Sequence, residues 1–233
     1  MKIGIIAAMA EELAFLRYHL EDKVESQVLG VTYAQGRLGQ HEAVLVQSGI
    51  GKVMSAMSVA VLADHFAVEA IINTGSAGAV APGIAVGDLV ISEQLVYHDV
   101  DVTAFGYDYG QMAQQPLYFP ADAAMLATFA QVAQAAGETV HQGLIATGDS
   151  FVADPERVAA IKAHFPQVLA VEMEGAAIAQ AAQAAGLPVM VVRSMSDTAD
   201  HEAQVSFDDF IFEAGKRSAQ LVLDFLKSFE NKG

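Results

Sequence analysis

Residues 70–78 read AIINTGSAG and residues 189–197 read VMVVRSMSD, and these two apolar stretches decide the fold class. Each is a continuous apolar run of strand length that ends in small or polar residues. Such runs are typical of strands buried on both faces, as in parallel sheets covered by helices. Similar runs alternate along the chain with alanine-rich runs of helix length. The sequence therefore predicts an α/β protein with a mainly parallel sheet.

The boundaries of the other elements follow from the same alternation and from turn residues. Strands are predicted over residues 2–6, 24–29, 31–38, 42–47, 70–74, 88–101, 139–147, 169–172 and 189–194. Helices are predicted over residues 9–20, 52–66, 121–136, 155–164, 174–185 and 207–229. Ser206 is predicted to cap the last helix, with Asp209 in the capping-box position.

Composition limits the classes of function. The 233 residues, 53% of them hydrophobic, fit one domain spanning residues 1–233 with a large core. A net charge of −16 disfavours nucleic-acid binding and a polybasic membrane surface. The absence of cysteine excludes disulfides, thiolate zinc sites and cysteine nucleophiles. No stretch resembles a signal peptide or a membrane span, so a cytoplasmic location is expected.

The predicted strand ends concentrate residues that can do chemistry. In parallel α/β sheets, ligands bind beyond the carboxyl ends of the strands. Those ends carry residues 9–12, 48–51, 75–78, 148–152, 172–174 and 196–197. Several carboxylates, two hydroxyls and three glycine-containing turns are therefore expected to face one crevice.

Four carboxylates at these ends have two interpretations each. Glu12, Glu172, Glu174 and Asp197 could serve a reaction, or they could cap the helices that follow. Arg193 lies inside the most apolar predicted strand, and a buried guanidinium needs an anionic partner. We expect that partner to be one of the strand-end glutamates.

Uncharged candidates are weaker on their own. The segment 75–78 could bring backbone N–H groups to a ligand, although a plain tight turn is the common alternative. Phe151 could stack on a nucleobase or could belong to the core. Lys52 is predicted to be a solvated helix residue. On a strand, Asp99 and Asp101 would point away from His98, so the sequence does not favour a metal.

Seven motifs, in order along the chain, resemble the bacterial methylthioadenosine/S-adenosylhomocysteine nucleosidase family. They are MKIGIIAAMAEE, SGIGKV, INTGSAG, HDVDVTAFGY, GLIATGDSFV, AVEMEGAAIA and VVRSMSD. The resemblance implies a three-layer α/β/α sandwich with a twisted, mixed central sheet, as in nucleoside phosphorylases and hydrolases. It also implies a homodimer and a reaction without cofactor or metal.

The resemblance also implies roles for individual residues. Glu12 is the expected general base for water, and Asp197 is the expected general acid on purine N7. Glu174, with the Met173 backbone, is expected to bind the ribose hydroxyls. The remaining expected binding residues are Ser76 and Arg193 near water and ribose, Ala77 and Gly78 beside them, Phe151, Val152 and Ser196 at the purine, Met9, Ile50 and Phe207 at the 5′-thio group, and Val102 and Phe105 from the neighbouring subunit.

The function that follows is hydrolysis of the N-ribosidic bond of 5′-methylthioadenosine and S-adenosylhomocysteine. The first alternative is a purine nucleoside phosphorylase, which the five arginines and the acidic Met-Ala-Glu-Glu turn disfavour. A second alternative is hydrolysis of a related adenine compound such as aminodeoxyfutalosine. A non-catalytic nucleoside-binding protein is a third, disfavoured because both the expected acid and the expected base are present.

Overall fold

A computed structural model describes residues 1–199 and 203–229, with only the backbone for residues 203–209. The strands are β1 (Lys2–Ala7), β2 (Glu21–Val28), β3 (Val31–Leu38), β4 (His41–Gln47), β5 (Ala70–Ala79), β6 (Leu89–Tyr97), β7 (Phe119–Pro120), β8 (Val140–Thr147), β9 (Val168–Glu172) and β10 (Val189–Asp197). The helices are α1 (Ala10–His19), α2 (Lys52–Asp64), α3 (Ala123–Ala135), α4 (Pro155–His164), α5 (Gly175–Ala184) and α6 (Ala203–Ser228), with one 3₁₀ turn at Thr103–Phe105. No described helix has the length and apolar character needed to cross a membrane.

All described strands form one mixed sheet. Its order is β10-β6-β8-β9-β5-β1-β4-β3-β2, with β7 beside β6. β10 also pairs with β5, so β5, β10, β6, β8 and β9 form a closed ring of paired strands. The predicted mixed sheet is confirmed, and the expectation of a mainly parallel sheet holds for half of the ten described strand pairs: β1–β4, β1–β5, β5–β10, β6–β8 and β8–β9 are parallel. The pairs β10–β6, β5–β9, β2–β3, β3–β4 and β6–β7 are antiparallel.

Helices cover both faces of the sheet. On one face of the sheet, Leu16 of α1, Phe129 of α3 and Phe225 of α6 form a core with buried side chains of β1 and β10. On the other face, α2 and α5 pack Leu62 and Ile178 against β5 and β6. Because buried sheet faces need apolar cover on each side, this arrangement explains the alternation of strands and alanine-rich helices.

Two local predictions are wrong. The backbone of α6 is already helical at Ala203, so Ser206 lies inside the helix and does not cap it. β5 continues in extended conformation to Ala79, so residues 75–78 form strand rather than a tight turn. β10 pairs with β5 as far as Gly78, and β9 pairs with Gly78 and Ala79, so these ladders keep the segment extended.

Candidate active site

The strand ends meet at a cavity of about 450 Å³. It is lined by residues that follow or end β1, β4, β5, β8, β9 and β10: Ala8, Met9, Glu12, Ile50, Ser76, Ala77, Gly78, Phe151, Val171, Glu172, Met173, Glu174, Ser196 and Asp197. A small inner cavity continues from it, bounded also by Ser150 and Val152. The expected crevice at the carboxyl ends of the strands is therefore present.

Glu12 is held in one orientation by four donors. Its side chain is 2% exposed and lies in the first turn of α1. One oxygen accepts hydrogen bonds from the N–H groups of Ala8 and Met9, both at 3.1 Å. The other accepts from the N–H and the Oγ of Ser76, at 2.9 and 3.0 Å. Glu12 thus caps its own helix and also presents a fixed carboxylate to the cavity.

Asp197 is placed by an irregularity at the end of β10. The pairing with β5 shifts register between Met195 and Asp197. A β-bulge changes the direction of side chains, and here both Ser196 and Asp197 line the cavity. Ser196 Oγ donates to Asp197 at 2.9 Å, and Ala199 N–H donates to it at 2.8 Å. Like Glu12, Asp197 is 2% exposed.

Two glycines in β5 let these acids approach the backbone. A Cβ atom at Gly78 would lie 2.7 Å from an oxygen of Asp197. A Cβ atom at Gly75 would lie 2.7 Å from an oxygen of Glu12 and 2.5 Å from Nη1 of Arg193. All three distances are below any normal contact, so the glycines serve close packing rather than a turn.

Arg193 lies beneath the cavity with its predicted partners. Its guanidinium donates to Glu172, to Asn73 at 2.6 Å and to Glu174 at 3.4 Å. The prediction that Arg193 pairs with strand-end glutamates is confirmed. Arg193 is 1% exposed and does not line the cavity, whereas Glu172 and Glu174, which it contacts, both do.

Of the two interpretations of these glutamates, Glu172 fits the helix-capping one and Glu174 fits the one in which it serves the site. Glu172 accepts from Thr147 Oγ1 and from the N–H groups of Glu174 and Gly175, so it caps α5. Glu174 accepts from Gly51 N–H at 2.9 Å and also faces the cavity. Burial raises the pKa of Glu174 to about 7; Arg193 opposes this shift, and nearby carboxylates add to it.

The loop after β8 brings an aromatic ring to the cavity. Phe151 lines the outer cavity and is 45% exposed, so it is not a core residue. Val152, which follows it, is buried at the inner cavity. Lys52 is not a solvated helix residue as predicted, because its half-buried ammonium lies 2.7 Å from Asp99, in the loop after β6.

Besides Arg193, two expected binding residues whose side chains the structure describes do not line the cavity. Val102 is half-buried and Phe105 is exposed, and neither lines it, although both were expected to act in a neighbouring subunit's site. The side chain of Phe207 lies outside the described part of the structure. Sequence analysis missed Ala8 and Val171, which also line the cavity, because small apolar residues carry no chemical signal.

The described residues contain no cluster of three or more metal-ligand side chains. The candidates around His98 have other partners: Asp99 binds Lys52, and Asp101 accepts from Thr103.

A family model described as the phosphorylase superfamily matches residues 2–227, and the fold and acidic cavity fit this class of protein. Over 233 residues the chain is 49% identical to a 5′-methylthioadenosine/S-adenosylhomocysteine nucleosidase of Geobacillus kaustophilus, covering 100% of this chain and 99% of the relative. The chain therefore belongs to the phosphorylase superfamily and, within it, to the family of 5′-methylthioadenosine/S-adenosylhomocysteine nucleosidases.

Solved structures agree with this assignment. The nucleosidase of S. pneumoniae, solved with the transition-state inhibitor MT-ImmA, is 66% identical with a TM-score of 0.96, covering 99% of this chain and 100% of that one. That of Streptococcus pyogenes, solved with 5-methylthiotubericidin, is 61% identical with a TM-score of 0.97, covering 99% and 98%. A futalosine hydrolase mutant of Helicobacter pylori is 33% identical with a TM-score of 0.94, covering 98% and 100%.

Proposed function

We propose that this chain hydrolyses the N-ribosidic bond of 5′-methylthioadenosine and S-adenosylhomocysteine, releasing adenine and the thioribose product. The observation that carries the proposal is the cavity lined by four carboxylates, those of Glu12, Glu172, Glu174 and Asp197. The names of the relatives point to the same reaction.

The proposed mechanism assigns one task to each side of the cavity. Cleavage of the bond places positive charge on the sugar and negative charge on the leaving purine. Asp197 protonates N7 of the purine, while Glu12, oriented by Ser76, accepts a proton from the attacking water. Each such proton transfer typically accelerates a reaction 10²–10⁴-fold. Glu174 binds the ribose hydroxyls, and Phe151 stacks on the adenine.

Charge favours hydrolysis over phosphorolysis. Enzymes that bind phosphate usually do so with arginine or lysine. Among the described residues, no lysine or arginine lines either cavity. Arg193, the nearest cation in the network, is already bound to Glu172 and Glu174. Four acids with no free cation beside them would repel a phosphate ion.

A second substrate is supported by the likeness to the Helicobacter futalosine hydrolase. Aminodeoxyfutalosine shares adenine and ribose with methylthioadenosine and differs at the 5′ group. Because Asp197, Glu12 and Glu174 are assigned to the shared part, they would serve either substrate. The two substrates would be distinguished by how the cavity near Met9 and Ile50 accommodates the 5′ substituent.

The proposal includes a homodimer in the cytoplasm. Large apolar side chains are exposed to solvent, including Val53 on α2 and Phe105 in the 3₁₀ turn, the latter 83% exposed. Burial of such side chains against a second copy would stabilise a dimer. The cytoplasmic location rests on the cysteine-free sequence, which needs no oxidising compartment.

Adenine release measured with and without inorganic phosphate tests the proposal. We expect release from methylthioadenosine at equal rates in both buffers, with free methylthioribose as the second product. A strict requirement for phosphate, with a sugar 1-phosphate as product, would replace hydrolysis by phosphorolysis.

A further inference from the structure

Lys52 joins three loops, and two of them, those after β4 and β8, line the cavity. Its ammonium lies 2.8 and 2.7 Å from the two carboxylate oxygens of Asp99, in the loop after β6. It also lies 3.6 Å from Asp149, in the loop after β8. Lys52 itself begins α2, directly after the turn that follows β4. One cation thus joins its own loop to two residues that lie 47 and 97 positions further along the chain.

Backbone groups close the same cluster. Asp149 accepts from the N–H of Lys52 at 2.8 Å, so it caps α2, whose own N-cap residue, Gly51, has no side chain. Asp99 accepts from the N–H of Asp149, also at 2.8 Å. Each carboxylate therefore binds both a main-chain N–H and the ammonium. We name Lys52, Asp99 and Asp149 the loop clamp.

The Lys52–Asp99 pair within the loop clamp is better protected than an ordinary surface ion pair. The side chains of Lys52 and Asp99 are 22% and 23% exposed. Burial acts to raise the pKa of Asp99, yet the bonds from Lys52 and from Asp149 N–H outweigh it and lower that pKa. Ion pairs with this degree of burial are screened less by salt than fully exposed pairs.

Residues of the proposed site lie within two positions of the clamp. Ile50 lines the cavity two residues before Lys52, and Phe151 lines it two residues after Asp149. Between Ile50 and Lys52, the N–H of Gly51 donates to Glu174 at 2.9 Å. The clamp is therefore next in the chain to a rim residue, to an aromatic ring and to the N–H that binds the carboxylate assigned to ribose.

We propose that Lys52, Asp99 and Asp149 form a positioning cluster for substrate binding, which sets Phe151 against the adenine and Glu174 against the ribose. This inference rests on the proposed function for the identity of the substrate. None of the three residues lines the outer cavity, so they act through the loops that they join. Because misplacement of binding groups by about 1 Å can cost up to 10²-fold, loss of the clamp should weaken binding clearly.

The test compares Lys52→Met, Lys52→Arg and Asp149→Asn with the wild type. Lys227→Met is the matched control, because it removes an exposed lysine–aspartate pair on α6. Calorimetry measures the Kd of a non-hydrolysable methylthioadenosine analogue, and steady-state kinetics measure kcat and KM. Sedimentation and thermal melting report assembly and folding. If Lys52→Met does not fold, the milder Asp149→Asn, at a half-exposed side chain, carries the test.

We expect Lys52→Met to raise Kd and KM about tenfold and to lower kcat by less than about threefold. Lys52→Arg should recover most of the affinity. The double variant Lys52→Met/Asp149→Asn should bind the analogue no more weakly than the worse of the two single variants. Unchanged Kd in both Lys52→Met and Asp149→Asn would overturn the inference, as would an equal loss in Lys227→Met. Failure of the wild type to release adenine would instead reject the proposed function, while Kd would still report on the clamp.

Discussion

Asp197 is the residue on which the proposed acid catalysis depends. Asp197→Asn keeps the shape of the side chain but removes the transferable proton. We expect kcat for methylthioadenosine to fall at least about 10³-fold, at the upper part of the range for general acid catalysis. Binding of a non-hydrolysable analogue, measured by calorimetry, should remain within a few-fold. Near-normal turnover in this variant would remove Asp197 from the mechanism.

Glu174 should make the free protein less stable as pH rises. Its pKa is about 7 in the folded chain and 4.5 in the ordinary case, so folding favours the protonated form. The stability that this provides is complete below about pH 4.5 and is lost as pH rises through 7. Glu174→Gln mimics the neutral form, so its unfolding free energy relative to the wild type should increase by roughly 2–3 kcal/mol from pH 4.5 to 8.

Urea unfolding at fixed protein concentration and ionic strength measures this difference. Glu25→Gln is a control of opposite sign, because Arg17 and Lys23 lower the pKa of Glu25. Glu25→Gln should reduce stability fully above pH 4.5, the usual pKa of glutamate, and progressively less as pH falls through the lowered pKa of the folded chain. A pH-independent difference for Glu174→Gln would contradict the assigned pKa shift.

At the scale of elements, β5 serves the site through close approach of its backbone. In Gly78→Ala the new methyl group meets the Asp197 carboxylate, 2.7 Å away, and must displace it. We expect kcat/KM to fall about 100-fold or more while the chain still folds. Gly83→Ala is the control: its φ of +85° is strained for alanine, but no atom lies within 4 Å. It should cost about 1 kcal/mol of stability and leave kcat/KM unchanged. Full activity in Gly78→Ala would contradict the packing argument.

The same elements show what the sequence could predict. Apolar runs identify β1, β5, β9 and β10, and their ends supply most of the cavity because sheet geometry gathers strand ends. Pairing of β10 with both β5 and β6 was not predictable from one sequence, since strand partners carry no local signal. The roles of Lys52 and of the extended segment at Gly75 were missed for a similar reason: their partners are distant in the chain.

At the scale of the whole molecule, the predicted homodimer places Phe105 in the neighbouring site. In this chain Phe105 does not line the cavity that holds Asp197. If each site combines the Asp197 of one copy with the Phe105 of the other, two defective variants can repair each other. Unfolding and refolding Phe105→Ala with Asp197→Asn would produce mixed dimers with one complete site.

We expect each variant alone to be impaired and the equal mixture to regain about a quarter of wild-type activity, because half the dimers are mixed and each carries one intact site. Sedimentation should show a mass of two chains throughout. No gain of activity on mixing, with mixed dimers demonstrated by differently tagged chains, would place Phe105 outside the partner's site.

The central claim is that Glu12 and Asp197 act on one substrate from two sides of a shared cavity. A crystal structure of this protein with a non-hydrolysable methylthioadenosine analogue tests it most directly. We expect an Asp197 oxygen within hydrogen-bond distance of purine N7, and a water between Glu12 and the anomeric carbon, on the face opposite the base. An analogue bound with its purine away from Asp197, or with no water at Glu12, would contradict the account.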